Sequence, residues 1–318
     1  MELVTISKRN NVFRKFLNKF WRSKYLLLMI LPAIVFYIIF CYVPMYGVVM
    51  AFKSYSPKLG IIGSPWNGVE NFVTVFEEKK FWLAFKNTLF IGSIKIVISF
   101  LGAVTIALLL NELRMRRTKK TIQTIVTFPH FLSWVVVSGF VFSLFAYNGV
   151  VNSLIEAMGG GRTNFLADKN FFFGLVFASD IWKEAGWGSI IYLATMAGIP
   201  QDQYEAADID GATRLQKIWH ITLPGIKPTA ILLLIMSVGG VLSAGFDQIY
   251  NLTSSLNNGL IVDSVHIIDT VIYQYSLVTR SITEGQATAI GFFKSVIGFI
   301  LVITTDRIAK ACGERGII

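Results

Sequence analysis

The chain has 318 residues, 54% of them apolar and 15% charged, with a mean hydropathy of +0.59, which excludes an ordinary water-soluble domain and points to a membrane protein. Its net charge of +10 would suit a nucleic-acid partner, but the basic residues gather in short loops between apolar runs, where a membrane protein keeps them on its cytoplasmic side. Two cysteines, Cys41 and Cys312, make neither a disulfide framework nor a metal site.

Residues 1–24 carry seven Lys or Arg (Lys8, Arg9, Arg14, Lys15, Lys19, Arg22, Lys24) against Glu2 alone. The apolar run that follows, Tyr25 to about Phe52, is longer than the apolar region of a signal peptide, and no Ala-x-Ala site comes after it, so a retained first span is expected. Pro32 and Pro44 are expected to kink or end it. Residues 53–84 are polar and turn-rich, with a short helix expected from Asn71 to Phe81. A second span is expected over Phe85–Leu110, with small faces at Gly92, Ser93, Ser99 and Gly102 for close helix packing. A basic loop, 111–120, leads to a third span over Thr121–Tyr147, interrupted early by Pro129. A polar loop, 149–170, leads to a fourth over Phe171–Gly198. A polar, helix-prone stretch occupies 199–227, a fifth span Pro228–Tyr250, a long loop with its own apolar positions 251–284, and a sixth span Gly285–Ile308.

Six spans put both termini on one side. Lys and Arg number 7, 5, 3 and 3 in the N-terminus, the 111–120 loop, the 199–227 loop and the tail, against 4, 2 and 1 in the opposite loops, which places both termini and the 199–227 loop in the cytoplasm. The expected organisation is a basic N-terminus, 1–24, and a single six-helix domain, 25–318.

The 199–227 stretch is the most specific feature. Glu205-Ala206-Ala207, three residues, Gly211, nine residues, then Ile221-x-Leu223-Pro224 resembles the EAA loop of permease subunits of binding-protein-dependent ABC importers. Small side chains at Ala206 and Ala207 let a partner approach the backbone, Gly211 permits a bend, and Glu205, Asp208 and Asp210 offer charge for orientation. Leu223-Pro224 is expected to stop the helix before it. Trp66-x-Gly68-x-x-Asn71-Phe72, Phe246-Asp247-Gln248-Ile249-Tyr250 and Gly291-x-Phe293-Lys294-Ser295-Val296-Ile297 are similar to stretches of carbohydrate-uptake permeases, the last to the branch that takes polysaccharide fragments. The chain departs from the broader class after Tyr250, where residues 253–259 replace the usual Gly-Gly-x-Pro.

The resemblance implies an all-α type I importer fold with a cytoplasmic coupling helix, residing in the bacterial inner membrane. It implies a second, similar permease as heterodimer partner, an extracytoplasmic solute-binding protein, an oligosaccharide substrate, and two cytoplasmic ATPases that bind ATP and Mg2+. The chain itself holds no GxxxxGK[ST], no metal-ligand spacing among His130, His220 and His266, and no catalytic constellation, so neither enzyme chemistry nor a cofactor of its own is expected.

Ionisable residues inside spans cost about 2.5 kcal/mol or more in lipid and mark a path. Asp180, Lys183 and Glu184 cluster in the fourth span, with Asp180 and Lys183 at a pairing distance of i, i+3, flanked by Trp182 and Trp187 whose faces could stack on sugar rings. Asp247, Gln248 and Tyr250 could line a pore or meet a binding protein, and Asn87, Lys95 and Lys294 are further candidates. A permease for peptide or phosphate, or an ion-coupled secondary transporter, remains the alternative; the latter has no use for an EAA loop.

Overall fold

The computed structural model describes residues 23–113, 115–259, 261–313 and 316. The basic residues from Lys8 to Arg22, Arg114 and Arg315, which contribute to the orientation argument, lie outside them. The described residues are almost wholly helical and form no strand, only an isolated bridge between Lys53 and Trp66.

Five segments are long and apolar enough to cross a membrane. They are α1 (Lys24–Phe52), α3 (Lys79–Asn111), a broken pair α5 and α6 (Trp134–Phe145 and Val150–Ala157), α9 (Arg214–Gly239) and α12 (Glu284–Ala311). The expected fourth span forms a single helix of similar length, α7 (Lys169–Ala197), which falls short of the others only because Asp180, Lys183 and Glu184 sit in its middle. Around these lie α2 (Glu70–Glu77), α4 (Arg116–Thr127), α8 (Gln201–Ile209), α10 (Phe246–Leu252) and α11 (Ile268–Ile272).

The helices α3 and α7 form the most extensive pairing. Ala103, Ala107, Ala185 and Gly188 line it, and small side chains let two backbones close together where lipid supplies no hydrophobic drive. At Gly186 an added Cβ would fall on the Val126 carbonyl, so α7 also lies directly against the end of α4. Phe172, Val176, Ile249 and Ile267 join Ile91 in one core cluster, while Tyr192, Met196, Ile226 and Ala230 form another beside Ala103. By contrast α1 buries only Ala51. Its end is capped by Asn71, whose Nδ2 donates to the Ala51 and Lys53 carbonyls at 2.9 and 3.0 Å, which explains why an Asn sits in the loop motif.

Several expectations need correction. Pro32 and Pro44 do not end α1, which winds as a π turn over Ile38–Tyr42 and tightens to a 3-10 turn over Tyr46–Phe52. Leu223-Pro224 does not stop a helix either. A second π turn, Ile218–Thr222, precedes it, and α9 runs on to Gly239. Pro44 and Pro224 each stand two residues beyond the end of a π turn, whose widened register moves away the carbonyl that a proline ring would strike in an α-helix. The third span is interrupted at Pro129 as expected, by a 3-10 turn over Phe128–Phe131, but its membrane-length part begins only at Trp134 and the 149–170 loop opens with α6. The fifth span starts in the polar stretch and breaks at Gly240–Gly245, so Phe246–Leu252 is a separate helix. The short helix placed at 71–81 ends at Glu77, and Phe81 already belongs to α3.

Candidate functional site

Two sites emerge, one inside the bundle and one on α8 and the foot of α9. Inside, Lys95 is the central residue of α3 and has no carboxylate on its own helix. Its ammonium meets Asp180 Oδ1 of α7 at 2.7 Å and donates to Gln248 Oε1 at 2.7 Å and the Ala244 carbonyl at 3.3 Å. Ser99 donates to Asp180 Oδ2 at 2.9 Å, and Gln248, fully buried, donates to the Val176 carbonyl and Ser179 Oγ at 2.7 and 3.0 Å. Three helices are thus tied by a charge pair whose hydrogen-bonding groups are used up, the condition under which a buried pair is tolerated. The pairing of Asp180 with Lys183 expected from i, i+3 spacing does not occur: the two point to different helices.

One turn further along α7, Lys183 is buried and donates to the His130 carbonyl at 2.6 Å, satisfying a group left open where the 3-10 turn interrupts the helix. It also lies 3.3 Å from Glu184 Oε1. The other carboxylate oxygen of Glu184 is 2.8 Å from His130 Nδ1, and the His130 ring stacks on Trp187 at 4.5 Å and 5°. His130 escaped the sequence reading, which looked at histidines for metal spacing; its position after Pro129, in an interrupted span, was the available signal.

A cavity of about 380 Å3 opens between α3, α7 and α9, with Lys95, Ser99, Phe100, Glu184, Trp187 and Tyr192 among its lining residues. Trp187 is 44% exposed and faces it, whereas Trp182, 51% exposed, does not line it. The remaining candidates are elsewhere. Asn87 donates to the His266 carbonyl at 3.0 Å, Lys294 bonds both oxygens of Asp269 at 2.6 and 2.8 Å, and Tyr250 packs with Phe246 and Tyr273. Asp247 is exposed at the start of α10. Asn87 and Lys294 hold helices and loops together rather than lining the cavity.

At the second site, α8 buries none of its residues. Glu205, Ala206 and Asp210 are exposed and Ala207 partly so, with Ile209 among them at 87% exposure. Gly211 turns the chain at φ +75°, a left-handed conformation that suits glycine. Thr213 then starts α9 with a capping box to Gln216. Ile221 and Leu223 lie partly buried near the foot of α9, and Pro224 is exposed. Ile209, which the sequence pattern did not single out, is an apolar side chain held out among acids.

Comparison with known proteins matches this architecture. The family described as "Binding-protein-dependent transport system inner membrane component" matches residues 103–313. The chain is 42% identical to the Bacillus subtilis (strain 168) polygalacturonan/rhamnogalacturonan transport system permease protein YteP over 308 residues, 96% of this chain and 93% of that one. It is 41% identical to Protein LplB of the same organism, covering 93% and 92%. Among solved structures, a chain of a bacterial ABC transporter involved in the import of the acidic polysaccharide alginate is similar, with TM-score 0.83, 36% identity, and coverage of 93% and 99%. A chain of the alginate transporter in complex with its alginate pentasaccharide-bound periplasmic protein is similar to the same degree, at 35% identity.

Proposed function

The chain belongs to the family of inner membrane components of binding-protein-dependent transport systems, as an ABC importer permease, and we propose that it imports an oligosaccharide as one of two similar permease subunits. Two cytoplasmic ATPases, binding ATP and Mg2+, drive it, and an extracytoplasmic binding protein delivers the sugar. With α7 counted as a sixth span, both termini fall on one side of the membrane, and the excess of Lys and Arg in the loops on that side supports the cytoplasm.

The observation that carries this reading is the hairpin of α8 and α9. An exposed knob of small and acidic residues, Glu205 to Gly211, is joined through one turn to a helix that continues into the membrane. Such a knob fits a groove on an ATPase, and closure of the ATPases on ATP would move α9 with it, shifting the population between inward- and outward-open states. The oligosaccharide class is supported by the substrates named for the similar proteins and by the cavity beside Lys95. Lipid would not tolerate Lys95 and Glu184, so that cavity faces the path. There the face of Trp187 suits the apolar side of a sugar ring, Glu184 accepts from hydroxyls, and Lys95 with Asp180 and Gln248 frames the wall.

The test is uptake of oligogalacturonides and alginate oligosaccharides into proteoliposomes holding the partner permease, ATPases and binding protein. Uptake is expected to require ATP and the binding protein. Glu205→Ala and Gly211→Asp are expected to cut stimulated ATPase activity by about tenfold or more, the loss typical of an interface anchor. Uptake without the ATPases would overturn the reading.

A further inference from the structure

Tyr204 and Asp208 stand one turn apart on α8, and Lys217 and Thr222 stand five residues apart at the foot of α9. The four side chains meet. Tyr204 Oη lies 2.9 Å from Thr222 Oγ1, and the Thr222 hydroxyl donates to the Lys217 carbonyl at 3.4 Å, which leaves Tyr204 as the donor to Thr222. The Lys217 ammonium bonds Asp208.

Matching an i, i+4 pair to an i, i+5 pair requires an unusual helix. In an α-helix, residues five apart diverge by about 140° around the axis. In the π turn Ile218–Thr222, hydrogen bonds run from i to i+5, so Thr222 comes to stand above Lys217. The Leu223 N–H returns to the Ile218 carbonyl, and Pro224, with no N–H to place, follows where the register reverts. Thr222 is 2% exposed, while α8 has no buried residue to hold it by packing. Among the described residues, the side-chain bonds between α8 and the foot of α9 are Tyr204–Thr222 and Lys217–Asp208.

We propose that Tyr204, Asp208, Lys217 and Thr222 form a clamp, aligned by the π turn, that makes α8 and the foot of α9 one rigid piece. The proposal rests on the coupling role given to α8 above. Without the clamp α8 pivots about Gly211, and ATPase movement is spent in that pivot instead of reaching α9. All four are positioning residues.

The experiment measures sugar imported per ATP hydrolysed in proteoliposomes of the complete transporter. Tyr204→Phe and Thr222→Val each remove the hydroxyl link and are expected to lower that ratio about five- to tenfold, the worth of one hydrogen bond, while ATP hydrolysis itself persists. The double variant is expected to match the single ones, since both remove the same bond. Thr222→Ser, which keeps the hydroxyl, is expected to restore the ratio. A merely structural role would reduce the amount of assembled complex and leave the ratio alone. Tyr204→Phe sits on an exposed helix and keeps the test decisive should Thr222→Val not assemble. An unchanged ratio in Tyr204→Phe, or no restoration by Thr222→Ser, would overturn the clamp. A wild-type complex that does not couple ATP to uptake would overturn the permease reading and the clamp with it.

Discussion

The middle of α7 carries two polar clusters built from the same kinds of residue to opposite ends. Around Asp180 the carboxylate is closed off: Lys95 and Ser99, which themselves border the cavity, occupy its oxygens, Gln248 holds Lys95, and Asp180 is 5% exposed. Around Glu184, one turn on, it is open on one side: His130 and Lys183 hold the carboxylate, which still lines a cavity beside a 44% exposed Trp187. A charge with every partner supplied from neighbouring helices serves cohesion. A charge partnered on one side only keeps capacity for a ligand. The type of residue does not separate the two; the number of helices facing it does.

The largest effect is expected where the closed cluster is cut. Lys95→Met leaves the Asp180 carboxylate buried without its cation and should destabilise the purified subunit by about 3–5 kcal/mol, read as a fall in melting temperature; adding Asp180→Leu should recover much of it. If Lys95→Met melts like wild type, the cluster is not closed. Next comes the backing of α7. Gly186→Ala should cost about 1–3 kcal/mol, because α7 must move off the Val126 carbonyl. The open cluster should respond the other way round. Glu184→Gln is expected to change stability by less than about 1 kcal/mol, as for a part-exposed pair, yet lower sugar uptake. A stability loss as large as that of Lys95→Met would erase the distinction. The smallest effect is expected from Trp182→Ala, which should leave uptake near wild type while Trp187→Ala lowers it, because only Trp187 lines the cavity.

Much of this was legible before any coordinates. Apolar run length located most of the spans, and the EAA spacing marked an exposed helix followed by a turn at Gly211, because both rest on local chemistry that a linear reading contains. The partners of the buried charges were not. Asp180 and Lys183 looked paired at i, i+3, but in a bundle each charge answers to the helix packed against it, and Lys95, 85 positions from Asp180, carried no sign of its destination. The π turns were equally hidden, since no propensity marks a widened register. Two of the three described π turns share a trace, however: Val43-Pro44 and Leu223-Pro224 each follow one directly, while Tyr273–Val278 has no proline after it. Pro44 and Pro224 mark places where the winding of an apolar helix changes, whereas Pro32 and Pro228 sit inside regular α-helix. His130 shows the same limit, for its role depends on Glu184 and Trp187, more than fifty positions away.

The continuity of α9 has a mechanical consequence. Its 26 residues from Arg214 to Gly239 make a rod of about 39 Å at 1.5 Å per residue, so a tilt of about 10° at the foot carries the far end about 7 Å. That far end leads directly to Gly240–Gly245 and the Gln248 that grips Lys95. A tilt of α9 of that size would therefore carry the wall of the cavity by about the width of a sugar ring.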